Sequence, residues 1–242
     1  MTAFSIRWRR AAATIVLAFA FGATAFAQER RDFAPPDLST VRAVTAEHGL
    51  VVAQEKIAAQ VGADILKQGG NAVDAAVATG FAMAVTYPRA GNIGGGGFMV
   101  IHSAARNEDA AIDYRETAPG AITKDIFLGA DGKPDSDKSR NSALGIGVPG
   151  TVAGLALALE KYGSGKFTLA QILKPSIELA QNGFVVADDV ADTLSDMYRR
   201  MSRWPNPARA LSRDDGTPLR EGDRLVQADL AATLSAIADQ GP

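Results

Sequence analysis

The chain has 242 residues, of which 47% are apolar and 21% are charged, and its formal net charge is −2. This composition is that of a globular protein and argues against wholesale disorder, and the lack of a basic patch or a nucleic-acid motif argues against a nucleic-acid-binding class. The sequence contains no cysteine, which excludes disulfides, thiol catalysis and cysteine-ligated metal sites.

The first 27 residues have the three parts of a secretory signal peptide. Three arginines lie within the first ten residues, residues 11–21 are an uncharged apolar run, and Ala25-Phe26-Ala27 supplies an A-x-A cleavage signal. The apolar run is too short to span about 30 Å of hydrocarbon as a helix, which argues against a membrane anchor. We therefore expect a periplasmic or secreted protein, cleaved after Ala27. Loss of the three arginines leaves 22 basic against 27 acidic residues, a net charge of −5.

The next segment, residues 28–40, is polar and contains Pro35 and Pro36, which predicts a flexible leader after cleavage. Folded structure is expected over residues 41–242. It begins with a short β-rich run at residues 41–45, which ends before Gly49.

Two helices are predicted to follow this run. Apolar residues recur at near-helical spacing over residues 51–66, and Gly69-Gly70 ends the pattern. Asn71 can cap the second helix, and Asp74 stands three residues later, as in a capping box. The second helix, at about residues 72–85, is apolar on all sides, which is typical of a buried helix.

A β-hairpin is predicted after the second helix. Residues 92–97 form a glycine-dense turn, and residues 98–102 and 110–114 are strand-like, with residues 104–109 as the connection. The four glycines at 94–97 resemble a phosphate-binding loop in composition, but such a loop needs a following helix, often with a lysine. A strand follows here, so the glycines are better explained by close backbone approach or by positive φ.

The second half is predicted to be mainly helical. Residues 129–142 and 203–223 are rich in polar residues, glycine and proline, which predicts loops. The first predicted helix runs from Pro149 to Tyr162 and is closed by Gly163. The second begins at a capping box formed by Thr168 and Gln171, kinks or restarts at Pro175, and ends at Gly183. Two further helices are predicted at residues 188–200 and 227–239. Two strands do not make a finished sheet, so the domain is expected to be incomplete.

Arg115 follows the second predicted strand and is flanked by Asp113 and Glu116. One interpretation is a surface ion pair, which is common and contributes little. The other is a bidentate clamp on a substrate carboxylate, which the planar guanidinium suits. The residues alone leave both interpretations open.

The remaining polar residues give weak signals. His48 and His102 are the only histidines and lack metal-ligand spacing, so structural roles are expected. The acidic pairs Asp188-Asp189 and Asp214-Asp215 are adjacent in sequence and are expected to be solvated. These observations indicate an exported α/β enzyme fragment without identifying a reaction.

Four ordered blocks of the sequence resemble the gamma-glutamyltranspeptidase family. They are residues 60–76 (QVGADILKQGGNAVDAA), 88–99 (PRAGNIGGGGFM), 113–119 (DYRETAP) and 148–154 (VPGTVAG). Their order and spacing also match, and the likeness extends from about Val44 to the last residue.

The resemblance implies an α/β fold, the αββα sandwich of the N-terminal-nucleophile hydrolases, with only its N-terminal portion in this chain. It implies a precursor that cuts itself into a large and a small subunit. The new N-terminal threonine of the small subunit attacks gamma-glutamyl compounds such as glutathione and passes the acyl group to an amino acid, a peptide or water. No metal or cofactor is implied, and neither nucleic acid nor, after signal cleavage, a membrane is an expected partner.

For the site, the resemblance places substrate binding at Arg115, through the α-carboxylate, and it places no catalytic residue in this chain. The family's Thr-Thr-His segment is absent, because His48 follows Glu47 and His102 follows Ile101. The chain is therefore expected to be the N-terminal part of the large subunit. The alternatives are a cephalosporin-type acylase of the same family and a non-catalytic truncated relative.

Overall fold

The computed structural model describes Ser39 and residues 42–242. The predicted signal peptide and all of the predicted leader except Ser39 lie outside the described residues. The strand predicted at residues 41–45 is wrong where the structure describes it, because residues 42–45 have no regular secondary structure. β-propensity expresses packing against a neighbouring strand, and no strand pairs with this run among the described residues.

Helices α1 (Lys56–Lys67) and α2 (Ala72–Thr86) begin at side-chain caps. The Glu55 carboxylate accepts the amides of Ile57 and Ala58, each at 2.8 Å. The predicted capping box is confirmed: the Asn71 side chain accepts the Asp74 amide, and the Asp74 carboxylate accepts the Asn71 amide at 2.8 Å. These bonds satisfy amide donors that a helix N-terminus leaves unpaired.

Helix α2 is the centre of the core. Eleven of its fifteen residues are buried, as its uniformly apolar sequence predicts. Two further helices, α4 (Thr151–Tyr162) and α5 (Leu169–Asn182), pack against α2 together with α1. The capping carboxylate of Asp74 is fully buried, and it also accepts the Ser164 amide at 3.1 Å, which links the start of α2 to the loop after α4.

The predicted hairpin is confirmed as β1 (Phe98–Ser103) and β2 (Glu108–Asp113), antiparallel with Phe98 opposite Asp113. Alternate residues face opposite sides of a strand, and here one face carries Ile101 and Ile112 into the helical core. The other face leaves Phe98 and Val100 62% and 84% exposed. The hairpin thus covers the helices with one face only.

The second half adds short elements around the long helices. Besides α4 and α5 they are α3 (Ser136–Asn141), β3 (Phe184–Val185), α6 (Asp188–Met201), α7 (Pro205–Ala210), β4 (Arg224–Leu225) and α8 (Ala228–Gln240). Strand β3 pairs antiparallel with β4, and α8 packs on α5. No helix of the described part of the chain is long and apolar enough to cross a membrane.

The helices predicted in this half are confirmed within two residues at their ends, including the Thr168–Gln171 capping box. Helix α5 runs through Pro175 as one element, so the predicted restart is wrong. The two predicted loops are wrong in part, because they contain α3 and α7. The Asp135 carboxylate caps α3, and Pro205 opens α7, so these single-turn helices depend on local capping and turn chemistry and not on apolar periodicity.

Candidate functional site

Three segments that are distant in sequence meet beside Arg115: residues 92–97, 114–117 and 148–151. The first and second are joined by the Tyr114 amide, which donates to the Gly97 carbonyl at 3.0 Å. The second and third are joined by a pair of amide-to-carbonyl bonds between Thr117 and Val148, at 2.8 and 3.3 Å. The third is joined to the first by the amides of Gly150 and Thr151, which both donate to the Gly95 carbonyl, at 2.8 and 3.0 Å.

Glycine is required where these segments touch. A Cβ atom at Gly96 would overlap the Tyr114 carbonyl oxygen and lie 2.8 Å from the Arg115 Cα. A Cβ atom at Gly150 would overlap the same carbonyl oxygen. Neither glycine has positive φ, so close backbone approach, and not unusual backbone geometry, explains glycine at these two positions.

The Tyr114 side chain fills the space that two other glycines leave. Its ring lies against Gly154 on α4 and Gly97 at the start of the hairpin, where added Cβ atoms would strike ring atoms. The phenol donates a long hydrogen bond of 3.5 Å to the Phe98 carbonyl, and burial raises the pKa of Tyr114. The residue before Arg115 is therefore fixed by its ring as well as by its backbone.

Arg115 itself lies just after β2 with its side chain exposed. Its amide donates to the Asp113 carboxylate at 3.0 Å. The guanidinium forms no ion pair or hydrogen bond with residues 42–242 or Ser39, so neither Asp113 nor Glu116 neutralises it there. The arrangement is a fixed backbone with an exposed guanidinium that has no partner among the described residues.

The other polar residues singled out in the sequence lie elsewhere. His102 pairs with Asp109 directly opposite on the hairpin, at 2.8 Å and exposed, and His48 is exposed in the segment before α1. Both acidic pairs are exposed, as predicted. No group of three or more potential metal-ligating side chains gathers within the described part of the chain.

Sequence reasoning missed two residues that bind these segments together, Asn92 and Thr151. The Asn92 side-chain oxygen accepts the Gly95 amide at 2.7 Å and the Thr151 hydroxyl at 3.1 Å. The available signal was a polar amide two residues before the glycine run, but its partner Thr151 lies 59 positions away.

We expect Gly96→Ala to destabilise the folded chain, because its Cβ would meet backbone atoms that cannot rotate away. Overpacking of this kind costs about 1–3 kcal/mol, which lowers the thermal midpoint by roughly 2–10 °C. Differential scanning fluorimetry measures the shift. The matched control is Gly94→Ala, where no described atom lies within 4 Å of the new Cβ; equal midpoints for the two variants would contradict the expectation.

Comparison with known proteins gives consistent matches. The sequence model of the family described as gamma-glutamyltranspeptidase matches residues 58–242. The glutathione hydrolase proenzyme of Escherichia coli K12 is 50% identical over 199 residues, which cover 82% of this chain and 34% of that protein. The crystal structure of Helicobacter pylori gamma-glutamyltranspeptidase superposes with a TM-score of 0.78 at 42% identity, covering 83% of this chain and 56% of that one.

A further relative bears a different name. The acylase ACY 1 proenzyme of Pseudomonas sp. strain V22 is 39% identical over 204 residues, which cover 82% of this chain and 36% of that protein. The chain thus spans about a third of the length of the curated relatives it matches.

Proposed function

We propose, because this chain belongs to the gamma-glutamyltranspeptidase family, that it acts as the N-terminal part of the large subunit of a gamma-glutamyltransferase and glutathione hydrolase precursor. The matched region and the mixed helix and strand fold agree with the N-terminal portion of the family's large subunit. The proposed substrates are glutathione and other gamma-glutamyl compounds.

The observation that carries this proposal is the state of Arg115. Its guanidinium is exposed and unpaired within the described residues, while three segments and the Tyr114 ring fix its backbone. A gamma-glutamyl group has a free α-carboxylate, which matches the paired N–H donors of arginine. Arg115 therefore binds and orients the donor substrate by that carboxylate.

The covalent chemistry is proposed to belong to another part of the precursor. Self-cleavage exposes a threonine whose own amino group takes the proton of its hydroxyl. The hydroxyl oxygen then attacks the gamma-amide carbon, the carbon–nitrogen bond breaks, and the leaving amine receives the proton. Attack by an amino acid, a peptide or water on the resulting ester releases the gamma-glutamyl group and restores the threonine.

The small subunit of the same precursor is the proposed protein partner. The outer face of the hairpin supports this, because Phe98 and Val100 are left exposed beside the Arg115 segment. Apolar side chains of this size on a strand face are typical of surfaces that another layer covers. No metal or cofactor is proposed for the reaction.

The proposal is tested with a full-length precursor that contains this chain. On a denaturing gel it should resolve into two subunits, and with glutathione it should release free glutamate. The acylase relative makes a cephalosporin-type amide the second substrate to assay. A cleaved precursor that hydrolyses only that amide would replace the proposed activity with an acylase.

Export is a separate part of the proposal, and it rests on the three-part leader. Expressed with its own leader in a Gram-negative host, the protein should be recovered from the periplasm with Gln28 as its N-terminal residue. Edman sequencing of the periplasmic fraction measures this. Periplasmic protein that still begins at Met1 would show that the leader is not cleaved.

A further inference from the structure

The Arg115 segment, residues 114–117, is connected to the start of α4 by two routes: the Thr117–Val148 hydrogen bonds lead there directly, and the glycine run leads there through Gly95 and Asn92. Thr151, the first residue of α4, is buried, and its hydroxyl donates to the exposed Asn92 side chain at 3.1 Å. The same Asn92 oxygen accepts the Gly95 amide at 2.7 Å, and the Asn92 amide group donates to the Ala90 carbonyl at 3.0 Å. Asn92 therefore holds the start of the glycine run against the N-terminus of α4.

The glycine run in turn determines where the Arg115 backbone lies. Gly95 accepts two amides from the start of α4, and Gly96 lies so close to residues 114–116 that not even a methyl group fits between them. A shift of the run relative to α4 must therefore move the Arg115 Cα or open a gap beside it. Carboxylate recognition by arginine depends on direction as well as charge, so such a shift weakens binding without touching the ligand.

We infer that Asn92, through its hydrogen bond to Thr151, is a positioning residue that orients the Arg115 guanidinium toward the α-carboxylate of the donor substrate. This inference rests on the proposed function of Arg115. Loss of the Asn92–Thr151 bond is expected to lower kcat/KM for a gamma-glutamyl anilide about three- to tenfold, the span of one neutral hydrogen bond.

The test compares Asn92→Ala and Thr151→Val in a full-length precursor that contains this chain. Two donors are used: a gamma-glutamyl anilide and a 4-aminobutyryl anilide, which lacks the α-carboxylate. Both variants should lower kcat/KM for the first donor and leave it within about twofold for the second, whereas a merely structural role would lower both equally. Thr151→Ser keeps the hydroxyl and should recover most of the loss. Thr193→Val removes a hydroxyl that bonds the Asp189 carbonyl on α6, and it is the matched control.

Coupling to Arg115 separates the possible failures. When Arg115→Lys is already present, adding Asn92→Ala should reduce kcat/KM by less than a further twofold, because the orientation of the guanidinium that Asn92 maintains is already lost. Full additivity would overturn the positioning role, as would equal losses with the two donors.

If Arg115→Lys alone leaves kcat/KM unchanged, the proposed function of Arg115 fails. If Arg115→Lys is harmful and Asn92→Ala is not, only the role of Asn92 fails. A two-subunit gel for each variant shows that it has folded and cleaved.

Discussion

Arg115→Lys is expected to lower kcat/KM for a gamma-glutamyl donor about ten- to a hundredfold in a full-length precursor that contains this chain. Lysine keeps the positive charge but lacks the two parallel N–H donors that form bidentate hydrogen bonds with a carboxylate. A hydrogen bond to a charged group contributes about 1.5–3 kcal/mol, which corresponds to that loss in specificity constant. The measurement is the initial rate of anilide release over a range of donor concentrations.

Two features of the structure make the Arg115→Lys result interpretable. The guanidinium has no partner among the described residues, so the substitution breaks no internal ion pair of that part. The backbone is fixed by Gly96 and the Tyr114 ring, which the substitution leaves in place. Self-cleavage should therefore survive. Arg200→Lys on α6 is the matched control, because Arg200 is also exposed and forms no ion pair or side-chain hydrogen bond among the described residues. Unchanged kinetics would remove Arg115 from substrate binding, and failed cleavage would give it a structural role.

Local sequence signals were enough to predict most of the regular elements. The Asn71–Asp74 and Thr168–Gln171 capping boxes each lie within four residues, and both mark helix starts correctly. Two strand-like runs with a short connection predicted the hairpin, and the uniformly apolar sequence of α2 predicted its burial. In these cases the residues that stabilise an element are close to one another in sequence, so a short stretch of sequence is enough to predict that element.

Features that depend on distant partners were missed. The β3–β4 pair has two residues per strand, and its formation depends on residues about 40 positions apart. Likewise, the Gly95 carbonyl and the Gly150 amide are 55 positions apart, so no local window could show that the glycine run docks on the start of α4. The sequence left two explanations for that run, positive φ and close approach. For Gly96, the position of the Tyr114–Glu116 backbone decides for close approach.

The sequence analysis predicted one substrate-binding residue, Arg115, and no catalytic residue in this chain. The residues alone left a surface ion pair and a carboxylate clamp both open for Arg115, and the family resemblance assigned it to substrate binding. A nucleophilic hydroxyl needs a base within hydrogen-bonding reach. The buried Thr151 hydroxyl donates to Asn92, and an amide oxygen is not a base of useful strength. The described residues around Arg115 therefore offer an exposed guanidinium and no hydroxyl with a basic hydrogen-bond partner.

A polypeptide of these 242 residues alone is expected to release no product from a gamma-glutamyl anilide. The sequence contains no Thr-Thr-His segment. Thr117 and Thr151, which lie in the segments that meet beside Arg115, have no basic side chain as a hydrogen-bond partner among the described residues. Without an amine to take its proton, a threonine hydroxyl is a weak nucleophile. The measurement is anilide release at high protein concentration against a buffer blank.

The full-length precursor is the positive control for this experiment, and under the same conditions it should release product only after it has separated into two subunits. Adding glycylglycine as acceptor should raise its rate and should leave the 242-residue polypeptide at the blank. The expectation would be contradicted if the 242-residue polypeptide released product and Thr151→Val abolished that release. Such a result would place a nucleophile on the first turn of α4, because Thr151 begins that helix and its amide donates to the Gly95 carbonyl of the glycine run that packs against the Arg115 backbone.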